Sequence, residues 1–322
     1  MVGYLVRRLG YLVPTWLGLS VLAFVIGSLA PGDPVRSYFQ RSHGRPPTPD
    51  ELQLLRDQFG LDDPLPVRFL DWVTGAVQGD LGMSFTTGRP VVEELLSRFP
   101  ATLQLAGAAM VVAFAIAVPV GIVSAVYRNR LVDQLVRVGS LLGASLPGFF
   151  LAYLLIMLLS VELRLLPTLG RGSWKHLVMP ALALGLTDSA ILARLMRSSL
   201  LEVLGENHVR TAQAKGVAEW KVVWRHGVMN SLNAVVTEAG LTFAALLAFS
   251  AIIEVIFVWP GIGRLILEAI TQRDYPIIQG FVIFAGTIFV LINLAVDVAY
   301  VWLDPRVTLG ERRRPPQAAV AA

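Results

Sequence analysis

The sequence predicts an all-α polytopic membrane protein with six transmembrane helices. Three observations carry that expectation: charge is sparse, apolar residues run in long stretches, and positive charge gathers between alternate stretches. Of 322 residues, 55% are hydrophobic and 16% charged, and the mean hydropathy is +0.62. A soluble domain carries about 25% charged and about 45–50% apolar residues. This much apolar side chain excludes disorder, which needs low hydrophobicity. The lack of cysteine excludes a disulfide scaffold and all thiol chemistry.

A helix crosses the hydrocarbon core with about 20 mostly apolar residues. Six segments qualify: 9–30, 101–127, 138–160, 178–200, 232–258 and 280–303. Arg7-Arg8 before the first run, and Ser28-Leu29-Ala30 after it, imitate a signal peptide. The run exceeds the usual apolar region of about 7–15 residues, and Pro31 would follow the cut, so it reads as a retained span. Pro119 and Pro147 fall inside the second and third spans, where neighbouring helices can satisfy the freed carbonyls. The fourth carries Asp188, Arg194 and Arg197 and is the least apolar. Frequent Gly and Ala suit close helix contact in lipid. Tyr11, Trp16, Trp259, Tyr300 and Trp302 at span ends read as interfacial anchors.

Positive charge sets the orientation. With the N-terminus inside, the cytoplasmic side holds 15 basic residues, counting Arg194 and Arg197 at the inner end of the fourth span, and the short outer loops 5. The long segment 31–100 holds the rest, and such lengths escape the charge rule. Both termini are therefore expected in the cytoplasm, and the basic pI of 9.6 reflects topology, not nucleic acid. Arg312-Arg313-Arg314 in the tail suits contact with anionic lipid. The chain divides into 1–30 (N-terminus and first span), 31–100 (extracytoplasmic), 101–303 (transmembrane core) and 304–322 (cytoplasmic tail).

Within 31–100, Thr48-Pro49-Asp50-Glu51 is a capping box with proline at the first helical position, and Gly60 can end the helix. Leu52, Leu55 and Phe59 share a face, which predicts an amphipathic helix over 49–59. Pro90 through Arg98 predicts another. In the core, the cytoplasmic loop 201–231 contains the helix-compatible stretch His208 to Lys215, closed by Gly216. Ala212, Ala214 and Gly216 are small and expose backbone, and Gly216 can take the left-handed C-cap conformation. Such a hairpin suits docking in another protein's groove, and equally an ordinary interfacial helix with snorkelling Arg and Lys.

Val209-Arg210-Thr211-Ala212-Gln213-Ala214-Lys215-Gly216, with Arg225-His226 and Asn230, resembles the coupling loop of ABC importer permeases. Further motifs narrow the resemblance to the B-type permease subunit of the dipeptide/oligopeptide/nickel family. They are Pro31-Gly32-Asp33-Pro34, Gly60-Leu61-Asp62 with Pro64, Gly79-Asp80-Leu81-Gly82 with Ser84, and Leu165-Leu166-Pro167. Trp259-Pro260-Gly261-Ile262-Gly263-Arg264, Arg273-Asp274-Tyr275-Pro276 and Leu303-Asp304-Pro305-Arg306 complete them. No tetrapeptide is specific; their order over nearly the whole chain is. Gln213 departs from the usual arginine, Asn207-His208 from an acidic–tyrosine pair, and Leu232-Asn233-Ala234 from a leucine–proline stretch. The resemblance therefore carries no salt bridge from position 213.

The resemblance implies a type I importer permease fold with a cytoplasmic coupling helix, in the inner membrane of a bacterium or archaeon. It implies a second, C-type permease subunit, two ATPase subunits or domains that hold ATP and magnesium, and an extracytoplasmic solute-binding protein. Residues Arg210, Thr211, Ala212, Gln213, Ala214, Lys215 and Gly216 would couple to the ATPases, and transport would proceed by alternating access. Dipeptides or oligopeptides are the first cargo; nickel complexes, glutathione and other small solutes share the scaffold. Consistently, the sequence has no Gly-x-x-x-x-Gly-Lys-Ser/Thr loop; Gly170 to Lys175 lacks its spacing. No cofactor or metal site is expected in this chain.

Charge at membrane depth is costly and points to function. Asp188, Glu238, Glu254 and Asp297 lie in or near spans, either as pathway groups or as structural pairs and protonated carboxyls. Glu254, before the Trp259-Pro260-Gly261 break, and Asp188 are the pathway or gating candidates, together with Pro260 and Gly261. An intramembrane enzyme is the rival class. It lacks His-Glu-x-x-His, Gly-x-Ser-x-Gly and cysteine, its histidines (43, 176, 208, 226) are scattered, and only an isolated Ser or Asp pair remains to it.

Overall fold

The computed structural model describes residues 2–29, 34–58 and 60–303. Their regular structure is helical, joined by turns and short irregular stretches; the one β feature among them is an isolated bridge between Met83 and Pro90. The N-terminal helix α1 (Val2–Leu29) packs along the last, α14 (Tyr275–Leu303). Three shorter helices follow α1: α2 (Pro34–His43), α3 (Pro49–Gln58) and α4 (Leu65–Val77). At the start of α3 the capping box forms, with Thr48 N–H donating to Glu51 Oε2 (2.8 Å) and Glu51 N–H to Thr48 Oγ1 (3.3 Å). Phe59 and the Pro31-Gly32-Asp33 part of its motif lie outside the described residues, as do Asp304-Pro305-Arg306 and the tail.

The helix expected at Pro90–Arg98 runs on into the second apolar stretch as one 36-residue helix, α5 (Val91–Val126). Its Pro100 and Pro119 are absorbed without a break. Its main partner is α8 (Trp174–Leu204). The contact is made by small residues, because no Cβ fits at two crossings. One on Gly121 would stand 2.6 Å from Met196 Cβ, and one on Gly185 would stand 2.6 Å from the Ala109 carbonyl. Ala113, Ala117 and Ala193 fill the seam with Leu192, Met196 and Leu200. Lipid supplies no hydrophobic drive for helices to associate, so this contact rests on close packing.

The expected straight third span is broken. α6 (Leu131–Ser145) and α7 (Gly148–Leu155), the latter continued by a π-helical segment Ile156–Glu162, meet at 96°. Leu146 is extended and Pro147 precedes α7; a proline disfavours helical geometry in the residue before it. Beyond α8 come α9 (Asn207–Ala214) and α10 (Glu219–Lys221). A π-helical segment, Val222–Val228, carries α10 into α11 (Met229–Phe249), so the fifth apolar stretch starts earlier than its hydropathy indicated. α12 (Ala251–Ile256) and α13 (Ile262–Gln272) lead to α14.

Among the described residues, four helical stretches are long and apolar enough to cross a membrane: Val91–Val126, Trp174–Leu204, Glu219–Ala248 and Tyr275–Ala295. The bent pair makes a fifth if it is one broken span, and Val13–Gly27 is a shorter apolar stretch within α1. The count thus reaches four or five, against the six expected.

Candidate functional site

Three places hold the residues singled out above: the exposed helix α9, the turn between α12 and α13, and a cleft between α8 and α11.

α9 is closed by a Schellman motif. Gly216 N–H donates to the Gln213 carbonyl (2.9 Å) and Val217 N–H to that of Ala212 (3.2 Å), while Gly216 has φ +74°. That left-handed conformation is cheap for glycine and strained for other residues. One face of α9 is fixed: Val209 and Ala212 are buried against Val203, Leu204 and Val222. Ala212 is thus turned inward, a correction to its expected exposure, because it shares a face with Val209 three residues earlier. Arg210, Thr211, Gln213, Ala214, Lys215 and Gly216 are exposed. The side chains of Arg210, Gln213 and Lys215 make no hydrogen bond or ion pair among the described residues. Sequence reasoning passed over two neighbours, Trp220 and Trp224, which are 69% and 55% exposed. Their signal was two tryptophans four apart in a basic segment.

At the α12–α13 turn, Glu254 is fully buried. Its carboxylate accepts from Thr102 Oγ1 (2.7 Å), Ser250 Oγ (3.0 Å) and Arg264 N–H (2.9 Å). The last is an unpaired amide of the first turn of α13, where a carboxylate also meets the positive end of the helix dipole. Thr102 Oγ1 in turn accepts from Ile262 N–H (2.9 Å). Gly261 lies against this carboxylate, and a Cβ there would collide with it. Val258 has φ +52°, an outlier for a β-branched residue. Trp259 is buried and donates from Nε1 to the Ala101 carbonyl (2.8 Å). It is therefore core and not the interfacial anchor expected, because the chain turns inward after α12. Trp16 lines an apolar groove with α4 and α14, and the side chains of Tyr11, Tyr300 and Trp302 lie outside the described residues.

On the same side, two motifs 190 residues apart meet. Buried Asp274 accepts from Ser84 Oγ (2.6 Å) and from the N–H groups of Phe85 (3.1 Å) and Thr86 (2.9 Å). Sequence reasoning gave both motifs and not their contact.

The cleft has a volume of about 470 Å³ and lies between α8, α11 and the start of α7. Asp188 and Glu238 both line it, with Gly148, Thr187 and Thr242. Neither carboxylate makes a hydrogen bond or ion pair among the described residues, and Asp188 does not reach Arg194. Glu254, Pro260 and Gly261 are not among its lining residues. The Asp297 side chain lies outside the described residues. Towards the α9 end, Asp133 is fully buried and paired with Arg197 through Oδ1–Nε (2.7 Å) and Oδ2–Nη2 (2.9 Å), with Ser124 Oγ also donating (2.6 Å).

Long apolar helices packed through small residues, with a short exposed helix between two of them, define a polytopic helical membrane protein. Residues 117–309 match the family model for the binding-protein-dependent transport system inner membrane component, and 1–106 match the N-terminal model for such membrane components. The glutathione transport system permease protein GsiC of Escherichia coli (strain K12) is 43% identical over 307 residues, covering 95% of this chain and 99% of that one. The GsiC of Salmonella typhimurium (strain LT2) gives the same figures. A chain of the MetNI methionine ABC transporter in an inward-facing conformation shares the fold at TM-score 0.53 and 20% identity, over 65% of this chain and 95% of that one.

The chain belongs to the family of binding-protein-dependent, ABC importer permeases of the inner membrane. Such a subunit transports and is not itself an enzyme.

Proposed function

We propose that this chain is one of two permease subunits of an ATP-driven peptide importer, forming half of the translocation pathway through six crossings with both termini in the cytoplasm. α1 and the bent α6–α7 pair supply the two crossings beyond the four long apolar helices. ATP and magnesium sit on partner ATPases, and an extracytoplasmic binding protein delivers cargo. The sequence has no Gly-x-x-x-x-Gly-Lys-Ser/Thr phosphate loop, and in this reading the energy enters by contact with the ATPases.

The observation that carries this reading is α9. It is braced on one face by Val209 and Ala212, while its other face presents cations, Arg210 and Lys215, that no group among the described residues engages. A helix held so is a lever: displacement of its exposed face is passed through Val222 into α11. ATP acts on such an equilibrium only by favouring one state, and α9 is where that bias enters. Glu254, Pro260 and Gly261 act at the far end as a gating turn, strained at Val258. Gly216→Trp in the complete complex, reconstituted in liposomes, is expected to abolish ATP-driven uptake while ATP hydrolysis persists. Unchanged uptake would remove the coupling role.

A second cargo reading, glutathione, draws on the curated relatives. Glutathione is itself a peptide, so both readings keep the scaffold. Competition between unlabelled glutathione and a dipeptide for uptake by the same complex separates them.

A further inference from the structure

We propose that Asp188 and Glu238 form one recognition element, selective for an ammonium-bearing cargo, in the cleft between α8 and α11. The inference rests on the pathway reading above and goes beyond it by naming a second acid and a cargo charge.

Asp188 lies near the middle of α8, and Glu238 near the middle of the apolar stretch that ends in α11. Both side chains are half-buried and line the same cleft, whose walls are otherwise mostly apolar. Neither has a partner among the described residues. Buried charges elsewhere in the chain are satisfied: Asp133 by Arg197, and Asp274 by Ser84 and two amides. Two unpaired carboxylates at this depth cannot face hydrocarbon, where an acid side chain is costly and normally turns to the bundle interior or to water. The open side of the cleft therefore faces the bundle interior or water and not lipid.

Two acids in a low-dielectric cleft focus a negative potential and concentrate cations. Divalent metal ions take larger ligand sets, six to eight oxygens for calcium. Among the described residues no group of three His, Cys, Asp or Glu could hold one. An ammonium group needs less: three donors, which two carboxylates and the neighbouring Thr187 and Thr242 hydroxyls can accept. The free amino terminus of a short peptide is such a group. The apolar walls leave room for its side chains.

The cysteine-free sequence makes the test direct. Thr242→Cys, in the full complex with its ATPases in membrane vesicles, is reacted with a trimethylammonium-bearing and a sulfonate-bearing methanethiosulfonate. Modification is read by the mass of this chain. Relative to a thiol in solution, the cationic reagent is expected to be favoured by about 10-fold or more, the low end of such focusing. Adding Asp188→Asn and Glu238→Gln should return the ratio to its solution value. A ratio that neutralisation leaves unchanged overturns the proposal. So does a thiol that neither reagent reaches, the result expected if a basic residue of a second permease subunit fills the cleft. Repeating the labelling with ATP and vanadate tests the pathway reading separately. Access that shifts with nucleotide, but without charge preference, leaves the pathway standing and removes the ammonium selectivity.

Discussion

Glu254 brings together three donors from different parts of the chain, and its replacement should be felt as instability. Glu254→Ala leaves the Arg264 amide and two buried hydroxyls short of an acceptor, which costs about 3 kcal/mol at 1–3 kcal/mol for each group wholly stranded. Gly261→Ala pushes a methyl group into the same carboxylate, and overpacking of this kind costs about 1–3 kcal/mol. Denaturant unfolding of the detergent-purified permease is the measurement; unfolding midpoints equal to that of the parent would contradict the capping role. The sequence exposed the break at Trp259-Pro260-Gly261 and the acid before it. It could not expose Thr102, which lies 152 residues from Glu254 and carries no pattern of its own.

Glu51 illustrates the opposite case: its capping box is legible in four consecutive residues, and only its ion pair with Arg45, six residues away, came from the structure. The Arg45 guanidinium, then the Thr48 amide, hold its carboxyl down to about 2 from an ordinary 4.5. Because the folded value is depressed, the stabilisation is complete above 4.5 and is lost as pH falls towards 2. The protection factors of the α3 amides, hydrogen exchange measured against the intrinsic rate at each pH, should therefore fall across that window, and Glu51→Gln should flatten the response. A fall that is the same in the variant would assign it to other groups.

At the scale of elements, α9 and the Asp133–Arg197 pair tie the helices at one end of the bundle. The pair joins the first turn of α6 to α8, and Ser124 of α5 and the Asn129 amide of the turn before α6 also donate to Asp133. Breaking a buried pair strands a charge at about 3–5 kcal/mol, and with Arg197 partly exposed Asp133→Ala should fall near the low end. Ala212→Phe should act more narrowly. Its ring cannot fit beside Val203, Leu204 and Val222, so α9 is displaced and ATP hydrolysis loses its dependence on cargo-loaded binding protein. Ala214→Ser, on the exposed face, should leave both intact. ATPase assays of the reconstituted complex distinguish them, and equal behaviour of the two variants would remove the bracing role. Helix-compatible residues marked His208 to Lys215 as a helix ended by Gly216. Which face it buries was decided by Val222, on the next element, and sequence reasoning accordingly placed Ala212 on the wrong side.

For the whole molecule, the orientation inferred from basic residues has a plain check. Thr74→Cys should react with a membrane-impermeant maleimide in intact spheroplasts, and Trp220→Cys only after permeabilisation. The reverse pattern would invert the topology and with it the placing of α9 on the ATPase side.

Composition and apolar run length by themselves determined that this chain is a helical membrane protein: only helices and closed barrels satisfy the backbone in lipid, and continuous apolar runs of about 20 residues fit the helix, not the short strands of a barrel. The order of its motifs determined the family. Tertiary structure alone decided that the third span bends at Pro147, that Glu254 and Trp259 turn into the core, and that Asp188 shares a cleft with Glu238. The physical reason is common to all of these. Periodicity records which residues share a face of one helix, whereas a buried carboxylate is satisfied, or left free, by groups that only the packing of distant helices brings near.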